Sequence, residues 1–418
     1  MSPRHALVAS LSFIALCAAS PQASALESFT LENVRAPLED GDGDIAFRRI
    51  EIVDTNLTRA EVDKVFASAT DASERGEILS KMQAKRISIP QIVVTRTGKE
   101  SGALTLNDYV VDDLAQGRFA RFAVASAAGK FTSKDGGEGT IASGPLVIQD
   151  ADFSKFMDAA KRGDITDGVM KVGAASWKGF RMTVPDKDVP AKAPGGSTHT
   201  IRVDSLESRT TYEGEAPIKT SAAITGIGFE PAPSSEPAQA MKRFGYDKVE
   251  VGVTLAGDYN PSAKTFALTD YTINGVNAGA LSFVGQFADI GREVFTAAKM
   301  ERLNAVMESS LNTLTLNYAD KGLFEKSLAF YAASTKKKPD AVRAEWAMMV
   351  TGMLPMLMGG DPAALKLAEA LGNFVREPKN LSISIKSKGP AVSFAEMARF
   401  REPADFLSKF DLTAVANR

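Results

Sequence analysis

The chain has 418 residues, 44% of them hydrophobic and 24% charged, a globular balance that excludes a disordered or collagen-like polymer. Its 49 Lys+Arg and 51 Asp+Glu give a formal net charge of -2, so no global basic bias points to nucleic acid and no acidic bias to a solvating tail. One Cys and two His leave little room for thiolate, zinc or imidazole chemistry.

The N-terminus carries Arg4 and His5, an apolar run over 6–19, Pro21 and then Ala23-Ser24-Ala25. A charged start, a short apolar core and a small-x-small site read as a signal peptide, 1–25, cut after Ala25. The run is shorter than the roughly 20 residues that cross a bilayer. No later stretch of 18 apolar residues follows, so no transmembrane span is predicted after cleavage. A lipid-modified Cys17 is the rival reading, although Leu16 stands where such signals carry a small residue. Cleavage removes Cys17 and His5 and leaves His199 as the single imidazole. Disulfides and cysteine nucleophiles are then excluded, and a periplasmic location is predicted for the exported chain.

Alternation predicts a strand over 45–53. Thr58 and Glu61 have capping-box spacing, with Val62, Val65 and Phe66 on one helical face. Strands follow over 87–95, 103–111, 117–126 and 139–148, then a short helix over 152–160. Strands resume over 169–184 and 200–229, then over 249–255, 265–273 and 280–287. Stretches rich in Pro, Gly and Ser punctuate the chain at 185–199 and 230–237. The domain prediction is therefore an N-terminal β-rich half over 26–186, a linker over 187–199 and a C-terminal β-rich half over 200–418.

An internal similarity supports two halves. Under an offset of 162, Leu106, Asp108, Tyr109 and Gly117 match Leu268, Asp270, Tyr271 and Gly279. Residues 146–160 resemble 314–333 more loosely. Chance likeness between strand-rich stretches is the alternative to a duplicated module.

The C-terminal half adds a helical cluster over 290–376. A helix over 290–309 and a strand over 311–317 precede three helices. Asp320 caps the first, which bears Leu323, Phe324, Leu328 and Tyr331. Asp340 caps the second, whose stripe holds Val342, Trp346, Met349, Val350, Met353, Leu354 and Leu357, with a kink expected at Pro355. Asp361-Pro362 starts the third, with Leu365, Ala368, Leu371 and Val375 on its apolar side. A strand over 381–386 and a Pro-punctuated end close the chain. The predicted fold class is α+β: two related antiparallel β-rich halves with a helical cluster in the C-terminal half.

The most apolar feature is 346–358, where Met348, Met356 and Met358 make even the back of the helix apolar. At about 1.5–3 kcal/mol per large buried side chain, its exposure costs on the order of 10 kcal/mol, so a cover is predicted. The cover is either ordinary core or an apolar ligand seated on flexible thioethers. Cu(I) on Met349, Met353 and Met356 is a third reading. The candidate ligand-binding residues are Trp346, Met349, Met353, Leu354, Met356 and Leu357.

Other motifs are weaker. Asp40, Asp42, Asp44 and Glu51 match part of a calcium-loop spacing, but Ile45 replaces the glycine of the sharp turn. Lys336-Lys337-Lys338 is a solvated turn or a contact for anionic headgroups. Ser334 and Lys337 lack the companion motifs of S-x-x-K enzymes. His199 has Asp204 and Ser205 near it only in sequence. No catalytic residue, metal site or cofactor is assigned.

The segment 314–323, LTLNYADKGL, with the helix after it, resembles a recurring piece of uncharacterised periplasmic proteins and is distantly similar to AsmA-type and YdgA-type envelope proteins. The resemblance implies a long β-rich body, in some members with an apolar groove, and carries no catalytic residue. The functional expectation is a non-enzymatic envelope protein that binds a lipid or another apolar ligand, or an envelope protein partner, and no nucleic acid. The alternatives are a carboxylate-based envelope hydrolase and a purely structural envelope protein.

Overall fold

A computed structural model of the chain describes residues 26–38, 42–67, 70, 72–98, 100–134, 136–155, 170–189 and 196–417. The predicted signal peptide, Asp40 of the acidic run, most of the predicted helix 152–160 and part of the predicted linker lie outside the described residues. The fold is α+β and β-rich, and the strand pairings are antiparallel. The chain divides into two compact units, Met1–Arg209 with Phe229–Ser235, and Thr210–Gly228 with Glu236–Arg418.

In the first unit β1 (Glu27–Pro37), β2 (Gly43–Thr55), β3 (Gln83–Arg96) and β4 (Gly102–Ala115) pair in sequence order. Helices α1 (Arg59–Phe66) and α2 (Ala72–Lys81) lie between β2 and β3 in the chain. Thr58 and Glu61 close the predicted capping box on α1. Val62 and Val65 of α1 join Phe47, Ile50, Ile87, Ile89, Tyr109 and Phe122 in one continuous core.

Beyond β4 a long hairpin runs out and back, each arm broken once. The outward arm is β5 (Arg118–Val124) and β6 (Ser126–Thr132), both paired with β4. The return arm is β7 (Glu138–Ser143) and β8 (Leu146–Asp152). The strand expected over 139–148 is thus two, because Pro145 offers no N–H to a continuous ladder. At this break Gly144 N–H donates to the Lys178 carbonyl, and Lys178 N–H to the Pro145 carbonyl. Both return strands pair with β9 (Lys171–Pro185), and β9 pairs with β10 (Thr198–Glu213). The stretch read as a linker, 187–199, connects these two paired strands: Thr198 lies opposite Pro185 and His199 opposite Val184.

The second unit holds β11 (Ala216–Glu230) up to Gly228, and α3 (Glu236–Arg243). Its sheet runs through β12 (Val249–Asn260), β13 (Thr265–Gly275), β14 (Gly279–Ala288), β15 (Ser310–Asp320), β16 (Asn380–Ser387) and β18 (Phe410–Ala416), with the short β17 (Val392–Ser393) on β15. Partners directly across a ladder share a face. One row therefore reads Leu255, Tyr271, Phe283, Leu316, Ile383, Ala414. The row on the opposite face reads Thr254, Thr272, Ser282, Asn317, Ser382. Period-2 alternation has made a sheet with one apolar and one hydroxyl-rich face.

The helix expected over 290–309 is two, α4 (Glu293–Thr296) and α5 (Lys299–Glu308). After β15 come α6 (Leu323–Thr335), α7 (Pro339–Leu357) and α8 (Pro362–Arg376), and near the end α9 (Phe394–Met397) and α10 (Pro403–Lys409). Ala370 and Phe374 of α8 pack with Leu381, Ile383, Tyr318 and Ala414 on the apolar face. Phe406 and Phe410 form a second cluster with Leu311 and Val392, with Phe287 and Leu314 packed against it.

Candidate functional site

Helix α7 opens with Pro339 at its first turn, so Asp340 sits inside the helix and is not its cap. Its first half is well seated. Val342 packs with Leu328 and Ala332 of α6, and the Trp346 ring stands edge-on to Phe324 at 5.8 Å and beside Tyr331 at 5.5 Å. Arg343 ties the three helices together, donating to the Val375 carbonyl at 3.0 Å and to the Glu325 carboxylate at 2.7 Å.

The second half is different, and helix length is the reason. Phe324 is the second residue of α6, yet it already meets Trp346 in the middle of α7. The 13 residues of α6 end alongside the first half of the 19-residue α7, which runs on for about 15 Å beyond them. Helix α8 accompanies this half on one side, where Gly372 faces Thr351. The other side stays open. Met349 and Met353 are half exposed, Met348 and Met356 are 72% and 71% exposed, and Leu357 is 65% exposed. The cover that burial energetics predicted is thus not supplied by the helices of this unit. Pro355 is buried and the helix continues through it to Leu357.

Of the six predicted site residues, the structure brings Met349, Met353, Met356 and Leu357 out on this surface. Trp346 and Leu354 are half-buried. Of the predicted apolar side of α8, Ala368 and Val375 are buried but Leu365 is exposed; Ala364, Ala370, Gly372 and Phe374 are buried with them. No charged residue occurs between Glu345 and Asp361. The surface can act through burial of apolar area alone, with no proton to give or take.

The weaker motifs have local partners. Asp44 pairs with Arg35 and Glu51 with Arg49, all on strands rather than in a calcium loop. Ser334 donates to the Tyr331 carbonyl, and Lys337 to Glu345 at 2.7 Å. The N-cap of α6 is Gly322 and not Asp320, which stands two residues earlier and accepts from Phe324 N–H at 2.9 Å and from the Tyr318 hydroxyl at 2.7 Å. Burial, with the Asp320 bond and charge beside it, pushes the Tyr318 phenol up from its ordinary value.

His199 is not near Asp204, which pairs with Arg202. Its Nε2 lies 3.1 Å from Asp186 Oδ2, and its Nδ1 accepts from the Ala232 N–H at 3.1 Å. An aspartate on one nitrogen suggests half a catalytic triad. A backbone donor, however, takes the nitrogen that a nucleophile would need. Sequence reasoning missed both partners; the dipeptide repeat Pro231-Ala232-Pro233 was the available signal.

A family model described as an uncharacterized protein matches residues 272–417, a span that contains the 314–323 segment and all of α6, α7 and α8. A search of the curated proteins finds no match. The resemblance to AsmA-type and YdgA-type proteins has no support in either comparison.

Proposed function

We propose that this chain is an exported envelope protein that holds an apolar ligand, the acyl chain of a lipid, on the second half of α7. The observation that carries the reading is the exposed surface of Met349, Met353, Met356 and Leu357 on a helix without a charge from Trp346 to Gly360. Thioethers adapt their shape to a flexible hydrocarbon. A protein partner is the less favoured occupant, because protein interfaces carry about one hydrogen bond per 100–200 Å². The exposed stripe has no charged side chain to make them, and a hydrocarbon chain asks for none.

A fluorescent fatty acid titrated into the purified exported chain tests this. Wild type is expected to bind it, and the double substitution Met349→Glu with Met353→Glu to weaken binding at least tenfold, with the circular dichroism spectrum unchanged. Equal binding by both proteins, or no binding by wild type, overturns the reading.

Export rests on the 1–25 pattern. N-terminal sequencing of the periplasmic fraction is expected to begin at Leu26. A chain retained in the cytoplasm with residues 1–25 intact rejects that part.

A further inference from the structure

We propose that His199 is a proton-operated latch, which holds the segment 229–235 to the first unit while its ring is neutral and releases it in acid. The segment belongs to the first unit although the residues on both sides of it in the chain belong to the second. It reads Phe-Glu-Pro-Ala-Pro-Ser-Ser. Proline has no N–H, so Ala232 carries the single backbone donor between Glu230 and Ser234. That donor goes to His199 Nδ1 at 3.1 Å. Ala232 is fully buried and the Phe229 ring lies 5.7 Å from the imidazole, tilted by 30°.

The two ring nitrogens have opposite jobs. Nδ1 accepts, so the ring must be neutral with its proton on Nε2, facing Asp186 at 3.1 Å. A second proton can only go to Nδ1, and there it points at the Ala232 N–H. Two donors then face each other and a buried backbone N–H loses its acceptor, which is costly away from water.

Asp186 decides which side lets go. Its side chain is 9% exposed and attracts the imidazolium, so the ring stays on the β9–β10 hairpin and the Ala232 side opens. Across the strand pair the ring faces Val184, which is apolar. Lys187 and Asp188 follow Asp186 in the turn, and Glu230 lies between Phe229 and Ala232; all three are exposed and their charges are screened. The sign at Ala232 does not depend on them, because acceptance at Nδ1 ends whenever that nitrogen is protonated.

Amide hydrogen exchange at Ala232 tests the latch, read as a protection factor from about pH 8 to about pH 5, the range in which histidine changes charge. The His199 ring proton shifts are followed in the same samples. Wild type is expected to lose protection about tenfold or more as the ring titrates, while β9 and β10 amides keep theirs. The control is His199→Gln, whose side-chain carbonyl can accept from Ala232 and whose amide can donate to Asp186 without titrating. Its Ala232 protection is expected to stay flat. Constant protection in wild type across the ring titration overturns the proposal, and so does an equal acid loss in His199→Gln.

Discussion

Asn33, Asp54, Asp108, Asp113 and Asp150 lie inside strands with φ between 51° and 54°, a left-handed region that short polar side chains tolerate best. The ladders pass over each one, stepping for example from Glu32 to Val34 and from Asp112 to Leu114. Only Asp54 coincides with a register shift, between β1 and β2; at the other four the register is the same on both sides, so the left-handed residue interrupts the ladder without adding a residue to one strand. At the same scale, Thr58 N–H and hydroxyl both donate to Glu61 at 2.8 Å. The backbone bond holds the Glu61 carboxyl below the ordinary glutamate value, against an opposing effect of burial. A depressed folded value means that the stabilisation is present above the unfolded value and fades as pH falls through the folded one. Glu61→Ala is therefore expected to lower the urea midpoint at pH 7, and the gap to wild type to close in stronger acid. A gap that persists at a pH below the folded value contradicts this account of the cap.

At the scale of elements, the α7–α8 pair depends on one small residue. A Cβ added to Gly372 would stand 2.5 Å from Thr351 Cγ2, closer than real carbons approach. Gly372→Ala is expected to cost about 1–3 kcal/mol in chemical denaturation through overpacking. Thr351→Ser removes that methyl and keeps the hydroxyl that bonds the Ala347 carbonyl at 2.8 Å. In a double-mutant cycle it is expected to recover most of the loss. Additive penalties mean that the two helices are not in contact through this pair. The same pair helps explain why α7 stays attached although the outer side of its second half is bare: α8 and α6 hold it by its inner residues.

For the whole molecule, the packing differs between the units. Among the described residues the first unit has one continuous core from β1 to β8, whereas the second has several small clusters. Buried apolar area supplies most of the stability, so the second unit is expected to unfold at lower denaturant. The chain provides its own probes, since its two Trp residues fall one in each unit, Trp177 and Trp346. Trp177 donates its indole N–H to Ser143 at 2.6 Å, and Trp346 sits between α6 and α7. Fluorescence of Trp177→Phe, which reports the second unit, is expected to change at a lower urea midpoint than that of Trp346→Phe. Coincident midpoints reject the ordering.

Local chemistry alone determined much of this protein. Alternation specified most strands and the one-sided sheet, the Thr58–Glu61 spacing specified the start of α1, and Asp361-Pro362 specified the start of α8. These signals are short-range, and nearby residues suffice to satisfy them. Tertiary structure decided the rest. Periodicity marks which face of α7 is apolar, but only the length of α6 determines how much of that face has a neighbour. Likewise His199 shows its chemistry only through Asp186 and Ala232, 13 and 33 residues away in sequence, because hydrogen-bond partners are chosen by where the strands bring the chain.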